Sequence, residues 1–354
     1  MDERFVSRTV YAGEQRVHLV EAGSGPLVLM CHGFPESWYS WRHQLGALAD
    51  AGYHAVAMDM RGYGRSGKPA AVADYRITEL VADCVGVVHA LGADSAVIVG
   101  HDWGAPVAWT AAWTRPDVFR AVAGLSVVFG GRGLMGLPGD PLGERRPSLV
   151  ERELAGPDLL FYQEHWCSAA GSKEFQGDVR AWIRGGLYGF SASPPLSPEL
   201  AGPPLNGDLT QLPDDQVAGF TRSVMCLPPG VSMRDRMAPV PDPLPDWLTE
   251  ADVDFYTAEF ERTGFEGGLN YYRNVDLDWE LLEAYEGRPV PVPSLYIGGE
   301  RDVGTAWAKE AIALLPRTQS DLRGVHIVRD AGHWLQQEQP DAVNALLLEF
   351  LRGL

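Results

Sequence analysis

Residues 96–106, AVIVGHDWGAP, decide the fold of this chain. The apolar, β-branched first half of the stretch predicts a buried strand, and residues 105–113 predict a helix almost directly after it. Gly100 and Gly104 flank Asp102 in the turn between them. Such glycines permit a turn so sharp that a Cβ would collide with its neighbours, and the turn projects the central side chain beyond the carboxyl ends of the strands. The stretch therefore predicts a nucleophile elbow in an α/β protein, with an aspartate at its tip.

The aspartate at this tip sets the kind of chemistry. A carboxylate is already ionised at neutral pH, so it does not need the proton transfer to histidine that activates a serine. It attacks a carbon atom directly and leaves an alkyl ester. Asp102 therefore argues against ester and amide substrates and indicates a substrate with an electrophilic sp³ carbon, such as an epoxide or an alkyl halide.

The composition is that of a soluble globular protein with a large core. The 354 residues are 45% hydrophobic and 21% charged, which suits one large α/β domain with an inserted subdomain. The net charge of −18 argues against nucleic acid or an anionic membrane as a partner, since both need a basic face. No apolar run approaches the ~20 residues of a membrane span, and the charged N-terminus does not resemble a signal peptide. The four cysteines lack CxxC spacing, which favours free thiols and a cytoplasmic location.

Strand and helix patterns alternate along both ends of the chain, which predicts a mostly parallel sheet with right-handed crossovers. The first two strands are expected to form an antiparallel pair. Besides the elbow strand, the predicted strands are 5–12, 16–22, 26–31, 54–59, 121–128, 293–298 and 324–329. Besides the elbow helix, the predicted helices are 38–51, 76–91, 149–155, 175–188, 307–315 and a last one from about residue 340.

The alternation stops over residues 129–290, where short helical patterns are separated by proline-rich loops, most densely at 194–245. One interpretation of this segment is a disordered linker, and the other is a cap inserted into the sheet. Its tryptophans and tyrosines favour an ordered cap, because disordered segments are poor in aromatic residues. We therefore expect an α/β core formed by 1–128 and 291–354, with a mainly helical cap at 129–290.

Hydrolysis of an alkyl-enzyme ester needs a base that activates water and an acid that orients the base. His333 lies in a loop just after the last predicted strand and is the candidate base. The loop after the preceding strand offers Glu300 and Asp302, of which Asp302 lies farther from the strand end and is favoured as the orienting acid. His32 and His101 belong to the motif turns and are interpreted as loop-fixing residues.

Backbone N–H groups must also meet the oxyanion that forms when water attacks the ester. Trp103, directly after the nucleophile, supplies one such amide. The second is expected from Phe34 in the loop after the strand at 26–31, where Gly33 permits a turn and Pro35 holds it. Phe34 and Trp103 are therefore the predicted oxyanion hole.

Five motifs stand in order along the chain: HGFPESWYSWR (32–42), RGYGRS (61–66), GHDWG (100–104), GGERDVG (298–304) and AGHW (331–334). Together they resemble the epoxide hydrolase branch of the α/β-hydrolases, in particular the soluble type found in actinobacteria. The resemblance covers the whole chain. It implies an α/β-hydrolase fold with an inserted helical cap, hydrolysis of an epoxide to a diol, and a reaction without a metal or organic cofactor.

The resemblance also implies two cap tyrosines that protonate the alkoxide formed when the ring opens. A phenol suits this task because, with a pKa of about 10, it is a far stronger acid than an alcohol yet stays protonated at pH 7. The family's pattern places one tyrosine directly before Arg-Asn, at Tyr272, which leaves Tyr271 as a packing residue. The other candidate is Tyr162. A second alignment would put Asp158 in its place, but an aspartate is a poor proton donor at neutral pH.

Two other functions stay open at this point. A haloalkane dehalogenase would share Asp102, Asp302 and His333, but it needs side-chain N–H donors for the departing halide. Trp103 would supply one donor, while Phe34 stands where an asparagine commonly supplies the second. A non-catalytic ligand receptor with this fold would be expected to lack part of the constellation, and here every part has a candidate residue.

The sequence thus predicts an epoxide hydrolase that works through an ester of Asp102, with water activated by His333. Phe34, Trp103 and Trp334 are predicted to form apolar pocket walls, which favours a small lipophilic epoxide, aliphatic or aryl, as the partner. The natural epoxide, the preferred enantiomer and the choice between detoxification and biosynthesis stay open. So does the oligomeric state, for which a homodimer is one arrangement.

Overall fold

A computed structural model of the chain describes residues 4–354 and has an eight-stranded sheet at its centre. Its strands are β1 (Val6–Ala12), β2 (Gln15–Ala22), β3 (Leu27–Cys31), β4 (His54–Met58), β5 (Ala96–His101), β6 (Phe119–Leu125), β9 (Val290–Gly299) and β10 (Gln319–Val328). Two short strands, β7 (Leu160–Phe161) and β8 (Cys226–Leu227), pair with each other outside this sheet. The sheet order is β1-β2-β4-β3-β5-β6-β9-β10. Strand β2 runs antiparallel to β1 and β4, and the other neighbouring pairs are parallel, which confirms the predicted α/β architecture.

The central strands bring their carboxyl ends to one edge of the sheet. Every residue of β3 and β5 is buried, as expected of strands that are covered on both faces. The register pairs Cys31 with Gly100 and His101 with Leu125, so β3, β5 and β6 end at the same level. The loops that follow these strands therefore meet at this edge, where ligands of open α/β sheets usually bind.

Helices cover both faces of the sheet and make up most of the insertion. Apolar residues of α1 and α16 pack on one face, and those of α2, α3 and α14 on the other. The helices are α1 (Arg42–Asp50), α2 (Ile77–Ala90), α3 (Gly104–Thr114), α4 (Pro147–Ala155), α5 (Tyr162–Cys167), α6 (Val179–Gly189), α7 (Pro198–Ala201), α8 (Asp214–Met225), α9 (Met233–Arg236), α10 (Glu250–Thr263), α11 (Glu266–Tyr272), α12 (Val275–Leu281), α13 (Val303–Trp307), α14 (Lys309–Thr318), α15 (Leu335–Glu338) and α16 (Pro340–Arg352). Within residues 4–354 no helix is both long and apolar enough to cross a bilayer.

Several element boundaries differ from the prediction, and two of the differences have a clear local reason. The strand predicted at 121–128 ends earlier, because Ser126 has a left-handed φ of 66° that a strand does not accommodate. The helix predicted at 175–188 begins later, where the Asp178 side chain caps α6. The helix predicted at 307–315 is two helices, α13 and α14.

The segment between β6 and β9 is an ordered, mainly helical unit and not a disordered linker. It contains α4 to α12 and a small antiparallel ribbon of β7 and β8. Its interior is aromatic: Phe260 and Phe265 stack with ring centroids 4.4 Å apart, and Trp182 packs 5.4 Å from Phe265. In the proline-rich stretch, four buried side chains pack on Ala306 of α13; they are Leu205, Leu209, Leu212 and Val217. This unit is the cap that the aromatic content predicts.

Candidate active site

The turn after β5 has the geometry of a sharp elbow. Asp102 adopts a left-handed backbone conformation, with φ of 49°, between β5 and α3. A Cβ at Gly100 would lie 2.0 Å from the carbonyl oxygen of Gly104, and a Cβ at Gly104 would lie 2.0 Å from the carbonyl oxygen of Cys31. These approaches explain the glycine on each side of the turn. The elbow places the Asp102 side chain at the carboxyl edge of the sheet.

Groups from two other loops contact the Asp102 carboxylate. The Phe34 amide donates to Asp102 Oδ1 over 2.6 Å, and His333 Nε2 lies 3.3 Å from Asp102 Oδ2. Phe34 is held in a turn in which the Gly33 amide donates to the Glu36 carboxylate over 2.9 Å. The structure thus brings the predicted Phe34 amide and the predicted base to opposite oxygens of one carboxylate.

Asp302 lies on the far side of His333, whose Nδ1 is 3.2 Å from Asp302 Oδ1. Asp302 is buried at the start of α13, where the Gly304 and Thr305 amides donate to it over 3.0 and 3.2 Å and the Thr305 hydroxyl donates over 2.9 Å. Burial alone would raise the pKa of Asp302. The charge of His333 and the hydrogen bonds, including one from Ser126, outweigh burial and lower the pKa to about 2. Asp302 is therefore a carboxylate at neutral pH.

His333 stands between two carboxylates, and this position sets its charge. Burial alone would lower the pKa of His333, but the charges and hydrogen bonds of Asp302 and Asp102 raise it well above the ordinary value. The imidazole therefore carries a proton when Asp102 is ionised. Its backbone is also held, because the His333 amide donates to the Phe190 carbonyl over 2.9 Å.

The second carboxylate of the loop after β9 is engaged elsewhere. Glu300 Oε1 accepts a hydrogen bond from the Asp330 amide over 2.9 Å. The structure records no contact of Glu300 with His333 among the described residues, whereas Asp302 makes one directly. The geometry therefore agrees with the choice of Asp302 over Glu300.

The two motif histidines make contacts that fix loops. His32 Nε2 accepts from the Met60 amide over 3.0 Å. His101 Nδ1 lies 2.7 Å from Glu36 Oε2, and its Nε2 lies 2.7 Å from the His333 carbonyl oxygen. His101 thus ties the turn after β3 to the loop that carries His333, in agreement with the loop-fixing interpretation.

Tyr162 and Tyr272 line the same cavity as Asp102 and His333. Tyr162 begins α5 and Tyr272 ends α11, and their ring centroids are 6.0 Å apart. Burial and the negative charge of Asp102 raise the pKa of both phenols, so both are protonated at neutral pH. Two phenols that can donate protons thus share a cavity with a carboxylate.

The neighbouring alternatives lie outside this cavity. Tyr271 is buried, and its hydroxyl donates to the Arg61 carbonyl over 2.8 Å, which makes it a packing residue as predicted. Asp158 is exposed in the loop before β7 and does not belong to the cavity lining. The second alignment, with Asp158 in place of Tyr162, therefore finds no support in the geometry.

The cavity lies between sheet and cap and is mostly apolar. Phe34 and Trp334 line it, as predicted. Trp103 does not, which corrects the prediction of a pocket wall there. The buried Trp103 ring packs 5.1 Å from Tyr272 and 5.6 Å from Tyr271. The other apolar side chains of the lining include Met135, Trp166, Trp182, Phe190, Met225 and Trp307.

Sequence reasoning missed several polar residues that contact this set. The Ser126 hydroxyl donates to Asp302 Oδ2 over 2.7 Å. The Gln163 amide donates to the Tyr162 hydroxyl over 3.0 Å. Glu36 and Glu338 each accept from backbone amides in the loops that carry Phe34 and His333; these amides belong to Gly33, Gly332 and Trp334.

Sequence position offered a signal for some of these residues. Glu36 lies within the HGFPE turn, and Ser126 stands where a strand ends at the edge that carries Asp102. A search of every polar residue within two positions of a strand's carboxyl end would have found Ser126. Gln163 had no such signal beyond its place next to Tyr162. In the described part of the chain, no group of three or more His, Cys, Asp or Glu side chains is arranged to hold a metal ion.

Comparison with known proteins places the chain in a family. Residues 26–147 match a profile of the alpha/beta hydrolase fold. The chain is 47% identical to epoxide hydrolase B of Mycobacterium tuberculosis over 99% of each chain, and 39% identical to epoxide hydrolase A of the same organism over 98% of this chain and 97% of that one.

Solved structures agree with these relatives. An epoxide hydrolase from an endophytic Streptomyces superposes with a TM-score of 0.85 at 46% identity, covering 99% of this chain and 96% of that one. Epoxide hydrolase I of potato, Solanum tuberosum, superposes with a TM-score of 0.80 at 29% identity, covering 99% and 100%. The chain belongs to the epoxide hydrolase family of the α/β-hydrolase fold.

Proposed function

We propose that this enzyme converts an epoxide and water to a vicinal diol through a covalent ester of Asp102. The observation that carries the proposal is the shared cavity, in which two protonated phenols, Tyr162 and Tyr272, accompany a carboxylate next to an imidazole. The epoxide hydrolases that the chain resembles in sequence and structure support the same substrate class.

The first step is ring opening. The Tyr162 and Tyr272 hydroxyls hold the epoxide oxygen, and an oxygen of Asp102 attacks the less hindered or more polarised ring carbon. The C–O bond of the ring breaks, and one tyrosine transfers its proton to the leaving oxygen. The products of this step are a hydroxyalkyl ester of Asp102 and a tyrosinate.

Formation of the ester changes the charge balance around His333. Esterified Asp102 no longer carries the negative charge that helps to raise the pKa of His333. The imidazolium can then release its proton, which returns the tyrosinate to the neutral phenol. His333 Nε2 becomes a base only after the nucleophile has been used, so the resting carboxylate and the later base do not conflict.

The second step is hydrolysis. His333, oriented by Asp302, deprotonates a water molecule that attacks the carbonyl carbon of the Asp102 ester. We assign the amides of Phe34 and Trp103 to the oxyanion, and the 2.6 Å contact of the Phe34 amide with Asp102 Oδ1 supports the first of these. Collapse of the intermediate releases the diol and restores Asp102 with one oxygen from water.

The surroundings of the site support a proposed substrate class, domain division and cellular location. The apolar lining suits a lipophilic epoxide, aliphatic or aryl. We take residues 1–128 and 291–354 as the core and 129–290 as the cap that closes the pocket. The four cysteines are free thiols, which supports a cytoplasmic protein.

A haloalkane dehalogenase is the other candidate activity. It would require side-chain N–H donors around a departing halide, but Phe34 offers none and the Trp103 side chain is not part of the cavity lining. The two phenols that share the cavity with Asp102 suit instead an alkoxide that must be protonated. The geometry therefore favours the epoxide.

The test replaces the phenols while the fold is kept. Tyr162→Phe combined with Tyr272→Phe should lower kcat/KM for an aryl epoxide by about 10³-fold or more, because the alkoxide loses its proton donors. The matched control is Tyr271→Phe, which removes a neighbouring buried hydroxyl outside the cavity and should change the rate less than about twofold. Ring opening by the double variant at the wild-type rate, or faster wild-type turnover of a bromoalkane than of the epoxide, would contradict the proposal.

A further inference from the structure

Ser126 occupies an unusual position at the end of β6. It is fully buried, and its φ of 66° lies in the left-handed region that serine rarely adopts. Two bonds to β9 hold it there: its amide donates to the Ile297 carbonyl over 2.9 Å, and its carbonyl accepts from the Tyr296 hydroxyl over 2.8 Å. The left-handed turn ends the strand and directs the Ser126 side chain to the edge where Asp302 and His333 lie.

The Ser126 hydroxyl contacts both of these residues. Its Oγ is 2.7 Å from Asp302 Oδ2 and 3.0 Å from His333 Nδ1. Asp302 is ionised and can only accept, so the serine hydrogen is donated to Asp302. The serine oxygen is then left as an acceptor, and His333 Nδ1 must carry the hydrogen that it receives.

The Ser126 oxygen lies closer to His333 Nδ1 than the Asp302 carboxylate does. His333 Nδ1 is 3.2 Å from Asp302 Oδ1, which is longer than its 3.0 Å distance to the serine oxygen. The Nδ1 hydrogen is therefore shared between Ser126 and Asp302. Two acceptors on one side of the ring define both its tautomer and its plane.

We propose that Ser126 is a second positioning residue for His333, which bridges the imidazole and Asp302 and holds the hydrogen on Nδ1 so that Nε2 faces Asp102. This assignment rests on the proposed function, in which Nε2 removes a proton from water. It adds to that function a group that neither reacts nor touches substrate. With the ring fixed, Nε2 stays 3.3 Å from Asp102 Oδ2, where the ester will form.

Removal of the hydroxyl has two separable effects. The first is on orientation, since the ring keeps only the longer bond to Asp302. The second is on charge: without the donor at Oδ2, the Asp302 carboxylate is less stabilised and attracts the imidazole proton more strongly. The pKa of His333 should then rise, and the base should become available only at higher pH.

The other groups around His333 stay in place in such a variant. Asp102 faces Nε2 from the elbow, and the His101 ring lies 5.0 Å away on β5. Glu338 of α15 accepts from the amides on both sides of His333, at Gly332 and Trp334. A shift in pH dependence after a change at Ser126 therefore reports on the bridge itself.

The experiment compares the two half-reactions in Ser126→Ala and wild type. Stopped-flow mixing with an excess of an aryl epoxide separates formation of the ester from its hydrolysis. We expect ester formation to change by less than about twofold, and hydrolysis to fall by about tenfold, because only the second step uses the His333 base. The acidic limb of the hydrolysis rate should move to higher pH.

Thr305→Val is the matched comparison. The Thr305 hydroxyl donates to the same Asp302 Oδ2 over 2.9 Å, but it does not contact His333. The Thr305→Val substitution should move the acidic limb of the hydrolysis rate in the same direction, because Asp302 again loses a hydrogen-bond donor. Its effect on the plateau rate of hydrolysis should be smaller than that of Ser126→Ala, because the bond to Nδ1 is kept.

Ser126→Gly tests whether the effect of Ser126→Ala comes from the lost hydroxyl or from impaired folding. Glycine adopts the left-handed conformation without strain but lacks the hydroxyl, so it should show the same slow hydrolysis in a protein with a native circular dichroism spectrum. Wild-type hydrolysis with an unmoved pH limb in both variants would overturn the assignment of Ser126 while the ester mechanism stands. Absence of any ester in the wild-type enzyme would instead contradict the proposed function.

Discussion

His333 shows at the scale of one residue how the site combines a nucleophile and a base. Its imidazole lies 3.2 Å from Asp302 and 3.3 Å from Asp102, so the same ring contacts the carboxylate proposed to orient it and the carboxylate proposed to form the ester. While both are charged, the pKa of His333 is raised. In the proposed mechanism, esterification of Asp102 removes one of the two negative charges that raise the pKa of His333, so the imidazole can act as a base in the hydrolysis step.

The raised pKa has a consequence for stability. Because the folded-state pKa lies above the unfolded value of about 6.5, the contribution of His333 is fully present below that pH and is lost as the pH rises through the folded-state value. The free energy of unfolding of the wild type, relative to His333→Gln, should therefore fall in urea titrations as the pH rises from about 6.5 through the raised folded-state pKa. A difference that stays constant over this range would show that the resting imidazole is neutral.

At the scale of elements, the end of α6 is joined to the loop that carries His333. The Leu187 carbonyl accepts from Trp334 Nε1 over 2.8 Å, and the Phe190 carbonyl accepts from the His333 amide over 2.9 Å. Glu338 adds a link, since its carboxylate accepts from the Ala192 amide over 2.7 Å. The cap therefore helps to position His333, the proposed base, as well as to cover the pocket.

Gly332 allows this close contact between cap and loop. A Cβ at Gly332 would lie 2.3 Å from the Ala192 nitrogen and 2.3 Å from the Ser191 carbonyl carbon, both of which are backbone atoms. Gly332→Ala should push the cap away from the loop, lowering kcat at least about tenfold and the free energy of unfolding by about 2 kcal/mol. The control is Gly219→Ala on the exposed face of α8, where a Cβ meets nothing within 4 Å. Equal activity in the two variants would contradict the coupling of cap and base.

The cap also contains a buried carboxyl group without a catalytic role in this mechanism. Burial and, to a smaller extent, the nearby Asp276 and Glu164 together raise the pKa of Glu151 in α4 to about 8. As the pH rises from about 4.5 to about 8, the unfolded carboxyl group ionises while the folded one stays neutral, so the free energy of unfolding falls. Glu151→Gln should therefore stabilise the protein at pH 8 by on the order of 2–4 kcal/mol, and by much less at pH 5.

The control for this prediction is Glu153, two residues after Glu151 in the same helix. Glu153 is exposed, with 68% of its side chain accessible, and pairs with Arg145 on the surface. Glu153→Gln should change the free energy of unfolding by less than about 1 kcal/mol, with little dependence on pH. If the two variants respond alike to pH in urea unfolding, the Glu151 carboxyl group is hydrated or ionised in the folded protein.

At the scale of the whole molecule, the sequence predicts best those features that depend on a short stretch of neighbouring residues. The elbow is predicted by Gly100, Asp102 and Gly104, and a Cβ at either glycine would collide with neighbouring backbone. The parallel sheet follows from continuous apolar runs such as Leu27–Cys31. The family pattern led to Tyr272 and to Tyr162, and the structure places both in one cavity with Asp102.

The parts that escaped prediction depend on contacts distant in sequence. Ser126 meets Asp302 only because β6 and β9 are neighbours and because its backbone turns left-handed, and neither fact can be read from the sequence around it. The sequence predicts Trp103 as an apolar pocket wall, whereas in the structure its ring packs against Tyr271 and Tyr272 of the cap. The direction of a side chain that depends on contacts distant in sequence cannot be predicted from the residues around it.

The mechanism proposed for the whole enzyme requires that an oxygen of Asp102, and not of water, first bonds to the substrate carbon. A single turnover of excess enzyme with an aryl epoxide in ¹⁸O-labelled water tests it, with mass spectrometry of the diol and of the peptide that contains Asp102. The first diol should be unlabelled, and the label should appear in the Asp102 carboxylate. Label in the first-turnover diol, with none in Asp102, would mean that water attacks the ring directly and would contradict the ester mechanism.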